Sequence, residues 1–569
     1  MRTVASLRSA ALTVGVVLAA LLMQACTPST GGTPPAGSAP PTTDQGGSAG
    51  PASSASPVRR LDQPVTLRVL ASNELQDMDK VLAAATEATN VKLELTLTTS
   101  REGAAEVASG KADGKYEAYW FASNAYLALK PEAEGRIATS TKIMTSPVAF
   151  GLNDDVARRL GWDKTAPTWP DLVKAAAEKK FTFGMADPAN ANSAFTALAT
   201  VTTALTGGGS LKADDVNTVA RQLRRFFAAQ TWAAPSAVEL ANRFTAESGK
   251  AGTPDGIINY EAKFISLNKS GDLKKPITMV IPSDGIMSAD FPFTLVNGVD
   301  PSYREAFEVM SDWLRSPTGQ QMIMDETNRR PAAPGVKPDP AKFGDQILVE
   351  LPFPTRRSVL DRLLTSYLNS TRRVTQSIYV LDVSGSMKGE RIRALRNALI
   401  SLAGGDSRVD SSGYEVFRER EKVTLIAYDD KVRQPQTITV PADDAGEGLR
   451  RIRTAASRLD TNNGDTATYS ALRTAYQVAD RQVRDNPGAL TSVVLMTDGE
   501  DNEGISEADF RRYYTGLSSE TRAVPTFTVK FGPADPAELN RIARLTGGRT
   551  FSVEDTRLVT AFRQIRGYQ

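Results

Sequence analysis

The stretch Ser377–Met387 (SIYVLDVSGSM) limits what this chain can fold into more than any other. A short apolar run stops at a carboxylate, Asp382, and hydroxyls follow at alternate positions, Ser384 and Ser386. An apolar run closed by a Gly/Ser turn reads as a parallel strand buried on both faces. From Lys388 onward Ile392, Leu395, Leu399 and Leu402 recur at helical spacing and form one apolar stripe. The three oxygen-bearing residues therefore sit where a strand's carboxyl end turns into a helix, the edge at which open α/β sheets bind ligands. Hard oxygen donors on one tight loop suit a hard divalent cation. Taken singly, Asp382 fits a helix cap or a surface turn as well.

Two later stretches repeat the pattern. Asn462–Thr468 (NNGDTAT) places hydroxyls on a loop just before a helix, and Val493–Glu500 (VVLMTDGE) is again an apolar strand ending in a carboxylate. If the strands beginning at Ser377 and Ser492 are neighbours, Asp382 and Asp498 meet at one sheet edge, and Ser384, Ser386 and Thr466 complete an oxygen set. Mg²⁺ takes about six oxygen ligands and usually keeps water. One position is then left for a partner's carboxylate. The set resembles the metal-ion-dependent adhesion site of a von Willebrand factor type A (VWA) domain, with Asp382, Ser384 and Ser386 as the D-x-S-x-S loop, Thr466 as the second loop and Asp498 as the third. Leu545–Phe551 (LTGGRTF) fits the last helix-to-strand turn of that family. The resemblance implies Mg²⁺, with Ca²⁺ or Mn²⁺ as alternatives, bound by hydroxyls and aspartates. Hydroxyl ligands leave the cation a residual positive charge for a protein partner's acid. The acidic run Asp498–Glu503 reads either as a cation-attracting surround or, at least as well for Glu500, Asp501 and Glu503, as a solvated loop.

The rest of the chain supplies context. At 569 residues two or three domains are expected. The chain has no histidine, which excludes Ser-His-Asp and Cys-His catalysis and His-ligated zinc, and its single cysteine, Cys26, excludes an intrachain disulfide. Residues 1–26 carry Arg2 and Arg8, an apolar stretch from Ala10 to Met23, then Gln24-Ala25-Cys26. This reads as a secretory signal too short to span a membrane. Its end resembles a bacterial lipoprotein cleavage box, with Met23 and Gln24 departing from the usual residues, and implies lipidation of Cys26; the alternative is simple secretion. Residues 27–63, rich in Pro, Gly, Ser and Thr, read as a disordered tether. The expected location is the outer face of a bacterial membrane, reached through a lipid anchor only. Net charge is +2 with Arg2 and Arg8 included, so the remainder is near neutral and no nucleic-acid surface is expected.

Residues 64–350 alternate strand and helix signals, which argues α/β with largely parallel pairing. Strands are expected at Val65–Leu70, Val91–Leu97, Tyr116–Phe121, a long extended stretch Lys142–Leu152, Ile257–Tyr260, Thr278–Ile281 and Phe291–Val296, with helices between, including one over Ala213–Ala229. Ser146–Leu152 (SPVAFGL), Asn153–Trp162 (NDDVARRLGW), Thr168–Leu172 (TWPDL), Phe183–Pro188 (FGMADP) with Asn192-Ser193, Pro282–Phe293 (PSDGIMSADFPF), Asp312–Gln321 and Arg330-Pro331 resemble, in order, a bacterial extracellular solute-binding protein. The resemblance implies two α/β lobes joined by crossing strands around a cleft. The expected fold class is thus α/β throughout: a two-lobed, periplasmic-binding-protein-like domain, a connecting helix over 351–372, and a doubly wound, Rossmann-like VWA domain over 373–569.

Candidate cleft residues stand at strand ends: Ser72, Asn73, Ser123, Ser146, Asp187, Asn192, Ser193, Ser283 and Asp284. Hydroxyls and backbone N–H groups there suit a small polar solute or oxyanion. The plainer role for each is capping a helix or turn. Trp120, Trp162, Trp169 and Tyr260 fit a cleft lining, and core positions better. Two functions compete: a surface lipoprotein mediating metal-dependent protein–protein interaction or adhesion, and the solute-binding component of an uptake system whose VWA domain docks or regulates a partner. An enzyme is not expected. Ser266-Leu267-Asn268-Lys269 formally matches a Ser-x-x-Lys nucleophile motif but lacks its companion motifs, and no phosphate-cradling Gly-rich loop is present.

Overall fold

The computed structural model describes residues 59–569 apart from 129, 406–415, 500 and 554–557. Residues 1–58, where the leader with Cys26 and most of the tether are expected, lie outside the described residues, as does Glu500. Leu61, assigned to the tether on sequence, is already tied down: its N–H donates to the Thr89 carbonyl (3.0 Å), and its side chain packs on the core.

In the N-terminal module the strands are β1 (Val65–Ser72), β2 (Val91–Thr98), β3 (Ala118–Trp120), β4 (Ile137–Lys142), β5 (Met144–Asn153), β6 (Phe183–Ala186), β7 (Gln230–Ala234), β8 (Gly256–Tyr260), β9 (Ile277–Val280), β10 (Ser288–Ala289), β11 (Pro292–Val296) and β12 (Arg330–Pro331). They form two sheets, ordered β2-β1-β3-β11-β4 and β10-β5-β8-β6-β7, with β9 and β12 also pairing β5. These are two lobes, and the chain crosses between them at Ile143, at Asp290-Phe291 and at Asn328-Arg329. The pairing is mixed, not largely parallel: β1 runs parallel to β2 and β3, whereas β11 runs antiparallel to β3 and β4, and β5 antiparallel to β8 and β9. Strands that return from the other lobe enter from the opposite end, and apolar periodicity carries no direction. The long extended stretch over 142–152 belongs to β5, which pairs in the second lobe, while its Lys142 closes β4 of the first. The helix expected over 213–229 is two, Ala213–Thr218 and Ala220–Phe227, followed by β7, which the sequence did not signal.

The helix Arg357–Ser366, continued by a π-turn Tyr367–Thr371, leads to the second module. Its Val359, Leu360, Leu363 and Leu364, with Tyr367 and Leu368, are buried in the N-terminal module's core.

The C-terminal strands are β13 (Thr375–Asp382), β14 (Lys422–Tyr428), β15 (Gln436–Thr439), β16 (Leu490–Thr497), β17 (Thr526–Lys530) and β18 (Thr550–Ser552). They form one sheet, β15-β14-β13-β16-β17-β18, parallel except for the edge strand β15. All of β13 is buried because helices cover both faces. Tyr379 and Leu381 pack with Ile392, Leu395, Leu399, Phe562 and Ile565 on one side. Ile378 and Val380 pack with Leu472, Tyr476, Phe510 and Ile542 on the other. After β13 the chain goes first to β14 on one flank and later to β16 on the other. The crevice at their carboxyl ends is therefore the topological switch point of the sheet.

Candidate functional site

Three loops meet at that switch point. Asp382 is the last residue of β13, Asp498 directly follows β16, and Thr466 lies just before the helix Thr468–Asp485. The Ser384 N–H donates to Asp382 Oδ1 (2.9 Å), and the Ser384 and Ser386 hydroxyls are 3.1 Å apart. Ser386 Oγ donates to Asp498 Oδ1 (2.7 Å). A Cβ added at Gly499 would lie 3.3 Å from Thr466 Oγ1 and 3.8 Å from Ser386 Oγ, so these two hydroxyls face the same small space beside Gly499. The structure thus brings Asp382, Ser384, Ser386, Thr466 and Asp498 together. Asp382 and Asp498 have no exposed surface, whereas Ser386 faces solvent.

Two buried carboxylates share this edge. Burial pushes the Asp382 carboxyl up, hydrogen bonds from Ser384 and Thr497 pull it back, and the neighbouring Asp498 pushes it up further. A cationic group already stands on the second oxygen of Asp498: Arg391 Nη1 donates to Oδ2 (2.6 Å) and to the Ser386 carbonyl (3.0 Å). Among the described residues no cluster of three or more His, Cys, Asp or Glu side chains could hold a metal. What this site offers is two carboxylates and three hydroxyls, all hard oxygens with no nitrogen or sulfur, a donor set that fits Mg²⁺, Ca²⁺ or Mn²⁺ and not a soft metal.

Several supporting residues were not legible from sequence. Thr497 Oγ1 donates to Asp382 Oδ2 (2.6 Å). Asn502 ties the second loop to the third, accepting from the Thr466 N–H (2.8 Å) while its own N–H donates to the Thr466 carbonyl (3.1 Å). Asp429, directly after β14, accepts from Asn462 Nδ2 (2.9 Å), and its carbonyl accepts from the Ala467 N–H (2.9 Å). Asp429 did carry a signal: Val423–Asp429 is a third apolar strand running into a carboxylate. Asp501, one of the acidic run, accepts weakly from the Tyr469 N–H at the head of the 468–485 helix (3.4 Å), and burial raises its carboxyl to about 6.

The nine cleft candidates divide. Ser123 accepts from the Ala125 N–H, Asp187 from the Ala189 N–H and Asn190 Nδ2, and Asp284 from the Trp169 N–H. Ser146 accepts from the Ala262 N–H, and Ser283 donates to the Pro167 carbonyl. These five hold turns and helix ends. Asn73 opens a short 3-10 turn, and the buried Ser72 precedes it beside the Glu74 carboxyl. Asn192 and Ser193 begin the helix Asn192–Leu205 in full burial. Asn192 Nδ2 donates to Tyr260 Oη (3.1 Å), while Asn192 Oδ1 and Ser193 Oγ have no partner. The space beside Tyr260 is only about 30 Å³, lined by Glu74, Asp77, Lys263 and Arg329 among others. That is room for little more than a water. The lobes are latched across it. Arg329 at a crossover pairs with Asp77 (2.8 Å) and bonds the Glu74 carbonyl, Tyr126 Oη donates to the Pro188 carbonyl (2.9 Å), and Arg101 Nη1 to Asn190 Oδ1 (3.0 Å). Trp120 and Trp169 are buried, their indole N–H groups on the Phe291 and Gly285 carbonyls. Ser266 Oγ donates to the Ala262 carbonyl within its own helix, which leaves the Ser-x-x-Lys match without an activated nucleophile.

Comparison with known proteins matches both modules. Residues 67–326 match the family model for bacterial extracellular solute-binding protein, and residues 378–564 the one for the von Willebrand factor type A domain. Both families are binding or interaction domains rather than enzymes. The first is extracellular by description, and no helix among the described residues is long and apolar enough to cross a membrane. Among curated proteins, calcium-activated chloride channel regulator 1 of Mus musculus is 37% identical over 103 residues, covering 17% of this chain and 10% of that protein. Inter-alpha-trypsin inhibitor heavy chain H4 of Homo sapiens is 28% identical over 130 residues, covering 22% of this chain and 12% of the relative. The chain thus spans only a small part of either. Among solved structures, the periplasmic binding protein AfuA from Actinobacillus pleuropneumoniae is 14% identical with a TM-score of 0.42, covering 55% of this chain and 99% of that one. A von Willebrand factor type A protein from Catenulispora acidiphila is 20% identical with a TM-score of 0.27, covering 35% and 43%. By its two family-model matches, the chain joins an N-terminal module of the bacterial extracellular solute-binding type over residues 67–326 to a C-terminal von Willebrand factor type A domain over residues 378–564.

Proposed function

We propose that this protein is an envelope-anchored binding protein whose VWA module engages a protein partner through a divalent cation held by Asp382, Ser384, Ser386, Thr466 and Asp498. The observation that carries this reading is the pairing of two buried carboxylates with three hydroxyls at the switch point, with Ser386 at the exposed mouth. Mg²⁺ bound there supplies a Lewis-acidic position able to take a carboxylate from the partner. Asp382 and Asp498 hold the charge, and Thr497 and Asn502 fix the loops that carry them. Arg391 neutralises one Asp498 oxygen from outside the donor set. Cys26 is the proposed point of lipid attachment, on the outer face of the cell membrane. Capture of partners from cell envelopes tests the reading. Wild-type protein is expected to retain a defined partner in Mg²⁺ and to lose it with chelator, and Asp498→Ala to capture none under either condition. Equal capture by Asp498→Ala and wild type would exclude the site from partner binding.

A second reading, uptake of a small polar solute or oxyanion, draws support from the buried, unpartnered Asn192 Oδ1 and Ser193 Oγ at the start of the helix Asn192–Leu205. Buried polar atoms without partners are uncommon and are often satisfied by water or a ligand. The latched lobes and the roughly 30 Å³ space argue for a module that keeps the fold with a vestigial cleft. A thermal-shift screen of the full chain against oxyanions, sugars and amino acids is therefore expected to show no ligand that raises Tm. A single solute that raises it by several degrees would transfer the primary function to uptake.

A further inference from the structure

We infer that the junction between the two modules is a binding site for a small phosphate-bearing anion. Between the second lobe and the amino ends of β13, β14 and β16 lies a cavity of about 480 Å³, within the range of about 300–1,000 Å³ typical of small-molecule sites. Lys179 and Arg224 line it from the solute-binding module, and Arg372, Arg373 and Arg420 from the VWA side. No carboxylate lines it.

These cations are poorly neutralised. Arg373 spends its donors on neutral carbonyls, those of Gly488 (2.7 Å), Gln230 (3.0 Å), Ala489 (3.0 Å) and Pro487 (3.3 Å). Arg420 Nε donates to the Asn369 carbonyl (2.7 Å). Arg372 pairs with Glu421, but that carboxylate also serves Arg566. Lys179 and Arg224 form no ion pair among the described residues. Burial lowers the Arg420 guanidinium from its ordinary range, repulsion from Arg372 and Arg224 lowers it further, and attraction to Glu419 and Glu421 offsets only part of this. Burial lowers Arg373 as well. Like charges gathered around one cavity cost stability unless something anionic fills it.

Lys179 (φ 56°) and Arg420 (φ 67°) both line the cavity with left-handed backbone, Lys179 as the residue that closes the helix Trp169–Ala177. Guanidinium and ammonium donors converging from two modules match the several acceptor oxygens of a phosphate. A ligand there would bridge Lys179 and Arg224 to Arg372 and Arg420, and so fasten one module to the other.

Isothermal titration of the full chain with inorganic pyrophosphate, at ionic strength held constant with NaCl, tests the site. Binding is expected for the wild type, and at least about tenfold weaker binding for the double variant Lys179→Gly, Arg420→Gly, since each lost charged hydrogen bond is worth roughly that factor. Glycine suits the left-handed backbone at both positions, so the variant's Tm without anion is expected to stay near the wild type's. Arg224→Ala, an exposed position, is the second variant and should weaken binding in the same direction. Co-sedimentation with phosphatidylglycerol vesicles separates the possible sources of phosphate. Vesicle capture by the wild type that is lost in the double variant identifies a lipid headgroup, and pyrophosphate binding without such capture identifies a soluble ligand. Absence of both kinds of binding in the wild type, or their persistence in the double variant, overturns the inference.

Discussion

Asp382→Ala is expected to abolish the rise in melting temperature that Mg²⁺ gives the VWA module. A cation that binds only the folded protein stabilises it by about 2.7 kcal/mol at a hundredfold excess over Kd. For a module of this size that is a Tm increase of roughly 5–10 °C. Asp382 is fully buried at the end of β13, and its oxygens accept from the Ser384 N–H and the Thr497 hydroxyl. Alanine removes a charge the metal needs. It also relieves a carboxylate that burial and Asp498 hold above its ordinary range, so the metal-free Tm should change little. The quantity to read is therefore the Mg²⁺-dependent increment, by differential scanning calorimetry with and without chelator. Asp382→Asn keeps the side chain's shape but turns one acceptor oxygen into a donor, and should lose most of the increment as well. An Asp382→Ala protein that still gains the wild-type increment would falsify the metal assignment.

The largest loss of stability is expected from Glu421→Ala. Glu421 lies just before β14, 2% exposed, and its Oε1 receives Arg372 and Arg566, the latter at 2.7 Å. Arg566 in turn stacks over Phe417 at 5.2 Å. Removing the carboxylate strands two buried cations, at a cost of about 3–5 kcal/mol. For the VWA module this is a Tm drop of roughly 10 °C. The same group shapes the acid limb of stability. Burial pushes the Glu421 carboxyl up, but the two arginines outweigh it and hold the group below its ordinary value. A depressed folded-state value means that the stabilisation is complete above the ordinary carboxyl value and is lost as pH falls through the folded one. Urea unfolding of wild type and variant at neutral and acid pH should therefore show the gap between them narrowing on acidification. A variant that melts within about 2 °C of wild type at neutral pH would show that the two arginines find other partners.

How much of this was legible beforehand depends on how local each signal is. The strand ending at Asp382 and the stripe Ile392–Leu395–Leu399 follow from short-range patterning, and the structure has both. Thr466 could be placed because its loop recurs in a fixed order with two strand ends. Arg391, Thr497 and Asn502 act through hydrogen bonds to residues remote in sequence or one helical turn away, which no periodicity reports. The N-terminal module was harder for a related reason. A hydroxyl after a strand has the same sequence whether it holds a turn, as Ser123 does, or is buried without a partner at a helix start, as Ser193 is. Strand direction is equally silent. β5 and β11 look like any other extended apolar runs until the crossings between lobes make them antiparallel. The junction cations Lys179, Arg224 and Arg420 are far apart in the chain, and nothing in their local surroundings announces that they converge.

The connecting helix Arg357–Ser366, buried by its apolar stripe in the first module and running directly into the central strand of the second, has a mechanical consequence. Under the proposed function, a partner held at Ser386 would pull on the carboxyl end of β13, against whatever holds the first lobe. Traction then runs along β13, an eight-residue strand bonded on both flanks to β14 and β16. The two points of pull are joined by the covalent backbone of this one strand, and the evenly spaced hydrogen bonds to both parallel neighbours hold it in register without carrying the load in series. The part of the VWA sheet nearest the grip is thus also the part built to bear weight.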